Sequence, residues 1–470
     1  MTIFVQRALE YLVLFILMLT SLIIWSGYSP FSTQSYNDWR LFEIVILFIL
    51  NIYYFFIPKQ HINIFSTITL IIYILFFIGL ISSYQSTFLS RSLRDWALYA
   101  SIFSSIFSLG YIIKNNRNFA LYTFLALCAM PLFFIAEFIY QILFYYLSNI
   151  NDKAPIGDIW LGQFSHPRIF GDTALPTFFM LYAATLINQK YRLYFSILLI
   201  FLSTLIVFCG GRGLFISFLL TFIFGYYLTP QIRKDILYSI FFLIIGFSIN
   251  MFLSYMLSNS YQSIAFRQDS SGRSEIISYI TLHIMDNLFL GISPAQFYLE
   301  SVKFNIRVSH PHNLFLQILV EWGLIAFILF IILLIKLLVK IIKSAAQEQN
   351  KFNYFIILGV FSFLVNCNFN GAHIYPSSQI YGLFLMAWLI SIYFMQEHNI
   401  KYQSFKLIHY ITATVQLSVG LILVITTFMA LGCGSSELAT KINLAGPRFW
   451  LYDSPHSDQI CLDATTFFDK

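Results

Sequence analysis

The chain has 470 residues, 59% of them hydrophobic and 10% charged, with a formal net charge of +6. Soluble domains carry roughly a quarter charged residues, so this composition excludes a soluble protein and defines an integral membrane protein. Apolar runs of about 20 residues recur with short polar breaks, enough to cross hydrocarbon as helices, whereas a barrel strand needs only about ten alternating residues. The fold class is therefore all-α, a polytopic transmembrane helical bundle of about 12–13 spans.

In chain order the runs predict spans near residues 8–27, 40–57, 63–82, 95–113, 119–148, 174–188, 193–209, 213–228, 236–255, 312–335, 353–370, 377–396 and 407–430. No small-residue cleavage site follows the first run, which reads as a retained anchor rather than a removed signal peptide. Together the spans make one transmembrane domain over residues 1–430. A tail, 431–470, follows on the outer side and holds Cys433 and Cys461, which an oxidising compartment would allow to pair. Cys128, Cys209 and Cys367 fall inside apolar spans.

Basic residues orient the bundle. Arg7, Lys59, Lys114, Arg117, Lys190, Arg192, Arg233, Lys234, Lys336, Lys340, Lys343, Lys351, Lys401 and Lys406 all fall in breaks on one side, which the positive-inside rule makes cytoplasmic. The net positive charge is thus a topological signal, and no nucleic-acid partner is implied. That side carries 10 Lys and 4 Arg, and the rest of the chain 4 Lys and 9 Arg. Arginine's planar fork binds phosphate or carboxylate oxygens in pairs, so its concentration on the outer side suits an anionic ligand there, with headgroup anchoring as the plainer reading.

Two outer loops, 149–173 and 256–311, are long enough to be functional. Within the second, Ile276–Leu288 has an amphipathic pattern suited to the membrane interface. Cys209-Gly210-Gly211-Arg212-Gly213 puts an arginine at a glycine-rich break where a helix begins, so amides and guanidinium can cradle a phosphate together; a tight turn with a snorkelling arginine is the alternative. Arg273 likewise opens a helix after Ser270-Ser271-Gly272, which also reads as serine capping. His310 and His312, separated by Pro311, precede Asn313 and a long apolar helix, where a structural histidine is the commoner reading and a general base the alternative. Asn366, Asn368, Asn370 and His373 crowd the outer end of a late span, where joining helices is the favoured reading over binding sugar hydroxyls. No Asp-any-Asp pair in an outer loop, no nucleotide motif and no nucleophile elbow is present, so neither a metal nor another cofactor is expected.

Gly210-Gly211-Arg212-Gly213, Gly272-Arg273-Ser274-Glu275, Asn287-Leu288-Phe289-Leu290-Gly291-Ile292-Ser293, His310-Pro311-His312-Asn313 and Glu321-Trp322-Gly323, in that order, resemble the O-antigen ligase and polymerase superfamily. The resemblance covers about residues 160–395 and is specific between 205 and 326. Ala326 stands where the ligase pattern has Gly, Thr or Tyr, and Ile216 where it has Leu.

The resemblance implies a bundle similar to the GT-C glycosyltransferase architecture, with a large periplasmic loop carrying short helices, in the bacterial inner membrane. The donor would be a glycan on undecaprenyl diphosphate, and the acceptor lipid A core or a growing glycan. Arg212 and Arg273 would grip the diphosphate and His312 would activate the acceptor hydroxyl, with Arg168, His310 and Asn313 in support. Arg168 enters through its Phe164-Ser165-His166-Pro167-Arg168-Ile169-Phe170 context, similar to a segment in some members of the superfamily. Three functions remain open: a ligase, a polymerase joining repeat units on the carrier, and a lipid-linked oligosaccharide transporter. Ionisable groups that gather at one face rather than along the spans disfavour the last.

Overall fold

The computed structural model describes residues 2–26, 35–57, 67–87, 89–147, 167–187, 189–257, 273–297, 310–348, 350–396 and 406–431. Most of the predicted 149–173 loop, two stretches of the 256–311 loop, and the tail with Cys433 and Cys461 lie outside them. Every regular element among the described residues is helical. In order these are α1 (Thr2–Ser26), α2 (Ser35–Tyr53), α3 (Thr67–Tyr84), α4 (Leu89–Asn115), α5 (Arg117–Leu147), α6 (Pro167–Ile187), α7 (Arg192–Phe208), α8 (Arg212–Leu228), α9 (Arg233–Leu257) and α10 (Arg273–His283). A short helix Leu314–Gln317 and a π-helical turn Ile318–Trp322 then lead into α11 (Gly323–Glu348), followed by α12 (Lys351–Asn366), α13 (Pro376–Gln396) and α14 (Lys406–Leu431).

A helix occupies each of the thirteen positions read as spans. Seven of the described helices are long and apolar enough to cross a membrane, and four shorter apolar helices accompany them. Burial sorts the helices by depth: 94% of the apolar window of α6 is buried, against 22% of the window that runs through α9. Accordingly α6 packs between α7 and α12, α4 packs against α13 and α14, and α9 lies outside against α7. Close approach needs small residues: a Cβ at Gly110 of α4 would stand 2.9 Å from the Ala387 carbonyl oxygen of α13.

Several helices begin earlier than hydropathy indicates, and in two of them the extra turns bury charge. The α6 helix starts at Pro167 rather than at 174, with proline at the first position, where its missing N–H costs nothing. Its polar Asp172 and Thr173, which read as loop, are buried, and Asp172 accepts a hydrogen bond from Asn366 Nδ2 at 2.8 Å. The α4 helix starts at Leu89 rather than at 95, and its first turns bury Arg91, Arg94 and Asp95. Hydropathy penalises such groups wherever they stand, but a bundle interior can take them if they are partnered.

The two ends of the bundle differ in chemistry. At one end Tyr53 donates to Glu10 at 2.9 Å, and Lys351 pairs with Asp235 at 2.8 Å. The other end gathers Arg40, Arg212, Arg273, His310, His312 and the turn between α12 and α13.

The helix predicted at 312–335 is broken, and the break is what shapes the second end. Gly323 has φ 84° and ψ 175°, so the helical path stops there and restarts as α11. A break leaves carbonyls without helical partners, and in a membrane protein these must be satisfied internally. The segment after α10 does this: Ile292 N–H donates to Val320 O at 2.9 Å, Ser293 N–H to Glu321 O at 3.0 Å, and Leu324 N–H returns to Leu288 O at 2.7 Å. The Asn287–Ser293 motif is therefore a strap around the break. Its Gly291 is required, because a Cβ there would meet the Glu321 backbone at 2.4 Å.

Candidate functional site

The site is built on the turn that joins α12 to α13. Asn366 ends α12, and its side chain links Asp172 of α6 to Asn370, which donates to Asn366 Oδ1 at 2.8 Å. On this braced turn three separate segments converge. At the start of α8, Gly213 lies against Phe369 and Asn370, where a Cβ would be 2.8 Å and 3.0 Å from their side chains. At the start of α10, the Arg273 guanidinium donates to Phe369 O. The Asn313 side chain donates to Asn368 O at 3.1 Å, and Leu314 N–H to Cys367 O at 2.9 Å. His310 packs on Gly371, where a Cβ would be 2.7 Å from its Nε2. Residues 368–371 span no more than about 11 Å between their end Cα atoms. The segments bearing Arg212, Arg273, His310, His312 and Asn313, dispersed over a hundred residues of sequence, thus meet within that distance.

Each side chain is placed by local geometry. The α8 helix opens with Gly210 at φ 59° and Gly211 as N-cap, so its first amides point out of the bundle end beside the exposed Arg212. Arg273, half-buried, is the first residue of α10, whose inner face packs Ile276, Tyr279 and Ile280 against Phe297 and Val320. Its outer face leaves Ile277, Leu282 and Met285 exposed, so the amphipathic segment read from the sequence rests one side on the π-helical turn. Glu275 in the same first turn is exposed, and hydrogen bonds from its own backbone N–H and the Ser274 hydroxyl hold its carboxyl below the usual range. It is therefore ionised at neutral pH. Arg168, in the first turn of α6, is described by its backbone alone.

The two histidines divide sharply by exposure. His310 is buried, while His312 is half-buried with φ 55°, a left-handed conformation that few non-glycine residues adopt. Directly after it Asn313 caps the helix, its Oδ1 accepting from Leu316 N–H at 2.9 Å. The rings of His310 and His312 stand 4.2 Å apart, and that of His310 stands 6.1 Å from His373 and 6.2 Å from Tyr375. Inward of this cluster an apolar cavity of about 170 Å³ lies among α3, α4, α11, α12 and α13, with Gln317, His373 and Gln379 among its few polar residues. Among the described residues no group of three or more His, Cys, Asp or Glu side chains is placed to hold a metal ion.

Several residues at this end carry more than their sequence pattern suggested. Arg40 is fully buried, paired with Glu43, and donates to Gln379 Oε1 and Ile374 O, so it braces the turn from α2 instead of anchoring to headgroups. Gln317 and Glu321, four residues apart in an apolar run, are buried together. Their spacing was the available signal, since polar groups in a span face the bundle interior.

A bundle of apolar helices, with arginine- and histidine-bearing segments gathered on one turn, defines a polytopic helical membrane protein with a candidate site at that end. Within it, the family model described as O-antigen ligase matches residues 197–331, from α7 through the first turns of α11. The matched stretch, which contains Arg212, Arg273, His312 and Gly323, supports the O-antigen ligase and polymerase superfamily. Among curated proteins no match to the chain was found.

Proposed function

We propose that this protein transfers a glycan from undecaprenyl diphosphate to an acceptor hydroxyl at the outer face of the bacterial inner membrane, with lipid A core as the acceptor. The observation that carries this reading is the convergence of the Arg212, Arg273 and histidine segments on residues 368–371. Departure of a diphosphate from an anomeric carbon builds negative charge on the leaving group. Two arginines and the first amides of α8 supply preorganised positive charge for it, so the reaction is taken to need no metal. His312 on the opposite side takes the acceptor proton, and a single displacement inverts the anomeric centre.

Residues 1–430 act as one transmembrane domain, the 256–311 loop and the 431–470 tail lie in the periplasm, and the lysine-bearing breaks face the cytoplasm. Ala326 and Ile216, which depart from the ligase pattern, favour a second reading in which the same chemistry joins repeat units on the carrier. The glycan profile of a deletion strain separates the two. Full-length polymer stranded on the carrier, with bare lipid A core, is expected for a ligase; single repeats capping the core would assign a polymerase. An unchanged profile would remove both.

Position 273 tests the diphosphate grip and the orientation together. Lysine is a point charge and cannot replace a two-bond fork. Losing one charge-assisted hydrogen bond worth about 2 kcal/mol slows transfer roughly 30-fold. Arg273→Lys and Arg212→Lys are each expected to show such a loss while accumulating normally in the membrane. A membrane-impermeant thiol reagent should label Arg273→Cys from outside the cell. Near-wild-type transfer in both lysine variants, or labelling only from the cytoplasmic side, would defeat the assignment.

A further inference from the structure

Behind the histidine pair runs a chain of buried polar side chains to which no role has yet been given. Glu321 is fully buried, with Oε1 accepting from Phe297 N–H at 3.4 Å and Oε2 accepting from Gln317 Nε2 at 3.3 Å. The same Gln317 nitrogen also faces the Tyr99 hydroxyl at 3.5 Å, and when Glu321 is ionised its carboxylate only accepts, so the amide presents its nitrogen to these two and its oxygen to the other side. That oxygen lies 2.7 Å from His373 Nε2. The orientation of one amide therefore settles the tautomer of His373: Nε2 carries a proton and donates. The backbone of His373 is held as well, its carbonyl accepting from Gln379 Nε2 at 2.7 Å, with Gln379 fixed in turn by Arg40. Gln317, His373 and Gln379 are each at least 95% buried, so none of these groups can exchange its partner for bulk water.

His373 then passes this order to the site. Its ring stands edge-on to His310 at 6.1 Å with the planes 89° apart, and His310 meets His312 at 4.2 Å. Three imidazoles form a row whose inner end is fixed by hydrogen bonds and whose outer end, His312, sits on a left-handed backbone at φ 55°. A base whose own backbone is strained holds its direction only if its neighbours over-determine it. We propose that Glu321, Gln317 and His373 are positioning residues for transfer: they lock the His373 tautomer and, through His310, aim the His312 ring at the acceptor. The arrangement follows the general logic of a base oriented by a third group, with a glutamine interposed between carboxylate and imidazole. The proposal rests on His312 being the base.

Two measurements test it, one independent of activity. In protein labelled with ¹⁵N-histidine and held in lipid bilayers, His373, assigned by its absence in His373→Gln, should show the Nε2-protonated tautomer. Gln317→Leu should abolish that preference. In donor-saturation kinetics His373→Ala and Gln317→Leu should lower kcat roughly tenfold or more with the donor KM within about twofold, as expected for lost aim rather than lost binding. Gln317→Glu alone, which sets two carboxylates side by side, should be at least as slow. The exchange Gln317→Glu with Glu321→Gln restores an acceptor for His373 and a donor between the two positions, and should recover most of the lost kcat. An Nδ1-protonated His373, an unchanged kcat, or an exchange variant no better than Gln317→Glu would overturn the proposal, even if single variants at 321 fail to accumulate. Wild-type protein with no transfer activity would instead strike the proposed function, while the tautomer still decides the network.

Discussion

His312→Ala is expected to reduce glycan transfer by a factor on the order of 10² to 10⁴, the usual contribution of a positioned general base, with little change in membrane insertion. The side chain is half-buried at the mouth of the site, and the helix behind it is capped by Asn313, so the cap does not depend on the imidazole. Backbone strain supplies a control. At φ 55° glycine is at ease where alanine is not, so His312→Gly should be at least as stable as His312→Ala and equally inactive. His310→Ala should weaken transfer less, since His310 is buried against Gly371 and braces rather than reacts. The base must be neutral to accept a proton, so the rate should fall in acid. Purified enzyme should be indifferent to EDTA. An active His312→Ala protein would end the general-base role, and EDTA inactivation reversed by a divalent ion would replace it with a metal mechanism.

Gly323→Ala should damage the fold rather than the chemistry. A Cβ there would lie 2.1 Å from Phe289 O and 2.4 Å from its carbonyl carbon, both backbone atoms of the strap. The strap cannot retreat, being tied on either side by Leu324 N–H to Leu288 O and Ile292 N–H to Val320 O. The φ of 84° is a further obstacle to any side chain. Strain and overpacking together cost about 3–5 kcal/mol, enough to remove most of the stability of an ordinary domain. The expected result is poor recovery of monodisperse protein in detergent and a fall of the melting temperature by about five degrees. A variant that melts within two or three degrees of wild type would show that strap and break are not rigidly joined.

Hydropathy made the helices legible because burying apolar surface is what the bundle and the bilayer both reward, and every run of sufficient length became a helix. It failed at the starts of α4 and α6. There Arg91, Arg94, Asp95 and Asp172 enter the interior, and the groups that receive them, such as Asn366 nearly two hundred residues from Asp172, are invisible to a local window. The site was legible in part for a related reason. Arg212, Arg273 and His312 stand out at loop boundaries and in motif order, and the structure gathers their segments on one turn. Asn366 joins α12 to α6 and Asn368 accepts from Phe315 N–H, whereas Asn370 bonds locally to Asn366. Gln317 was concealed because it means little alone, and its 2.7 Å contact with His373, legible only as one of a polar cluster, spans 56 residues. The strap was the least legible element: Asn287–Ser293 has a recognisable order, but only the broken helix explains what its backbone is for.

The π-helical turn has a consequence of phase. Buried residues in α11 fall at Ala326, Phe330 and Leu333, a continuous α-helical stripe. Extending the stripe of Gln317 and Glu321 forward at the same periodicity would bury positions near Ile325 and Ile328, yet these are 43% and 49% exposed. The wide turn and the break at Gly323 thus slip the two stripes against each other, so the site-facing half and the core-facing half of one span are indexed separately. One residue more or less in such a turn rotates everything on its far side by about 100°. A single codon gained or lost between 318 and 322 would therefore turn His310, His312 and Gln317 away from His373 with α11 as the fixed reference, a coarse setting that substitution at any one position cannot reach.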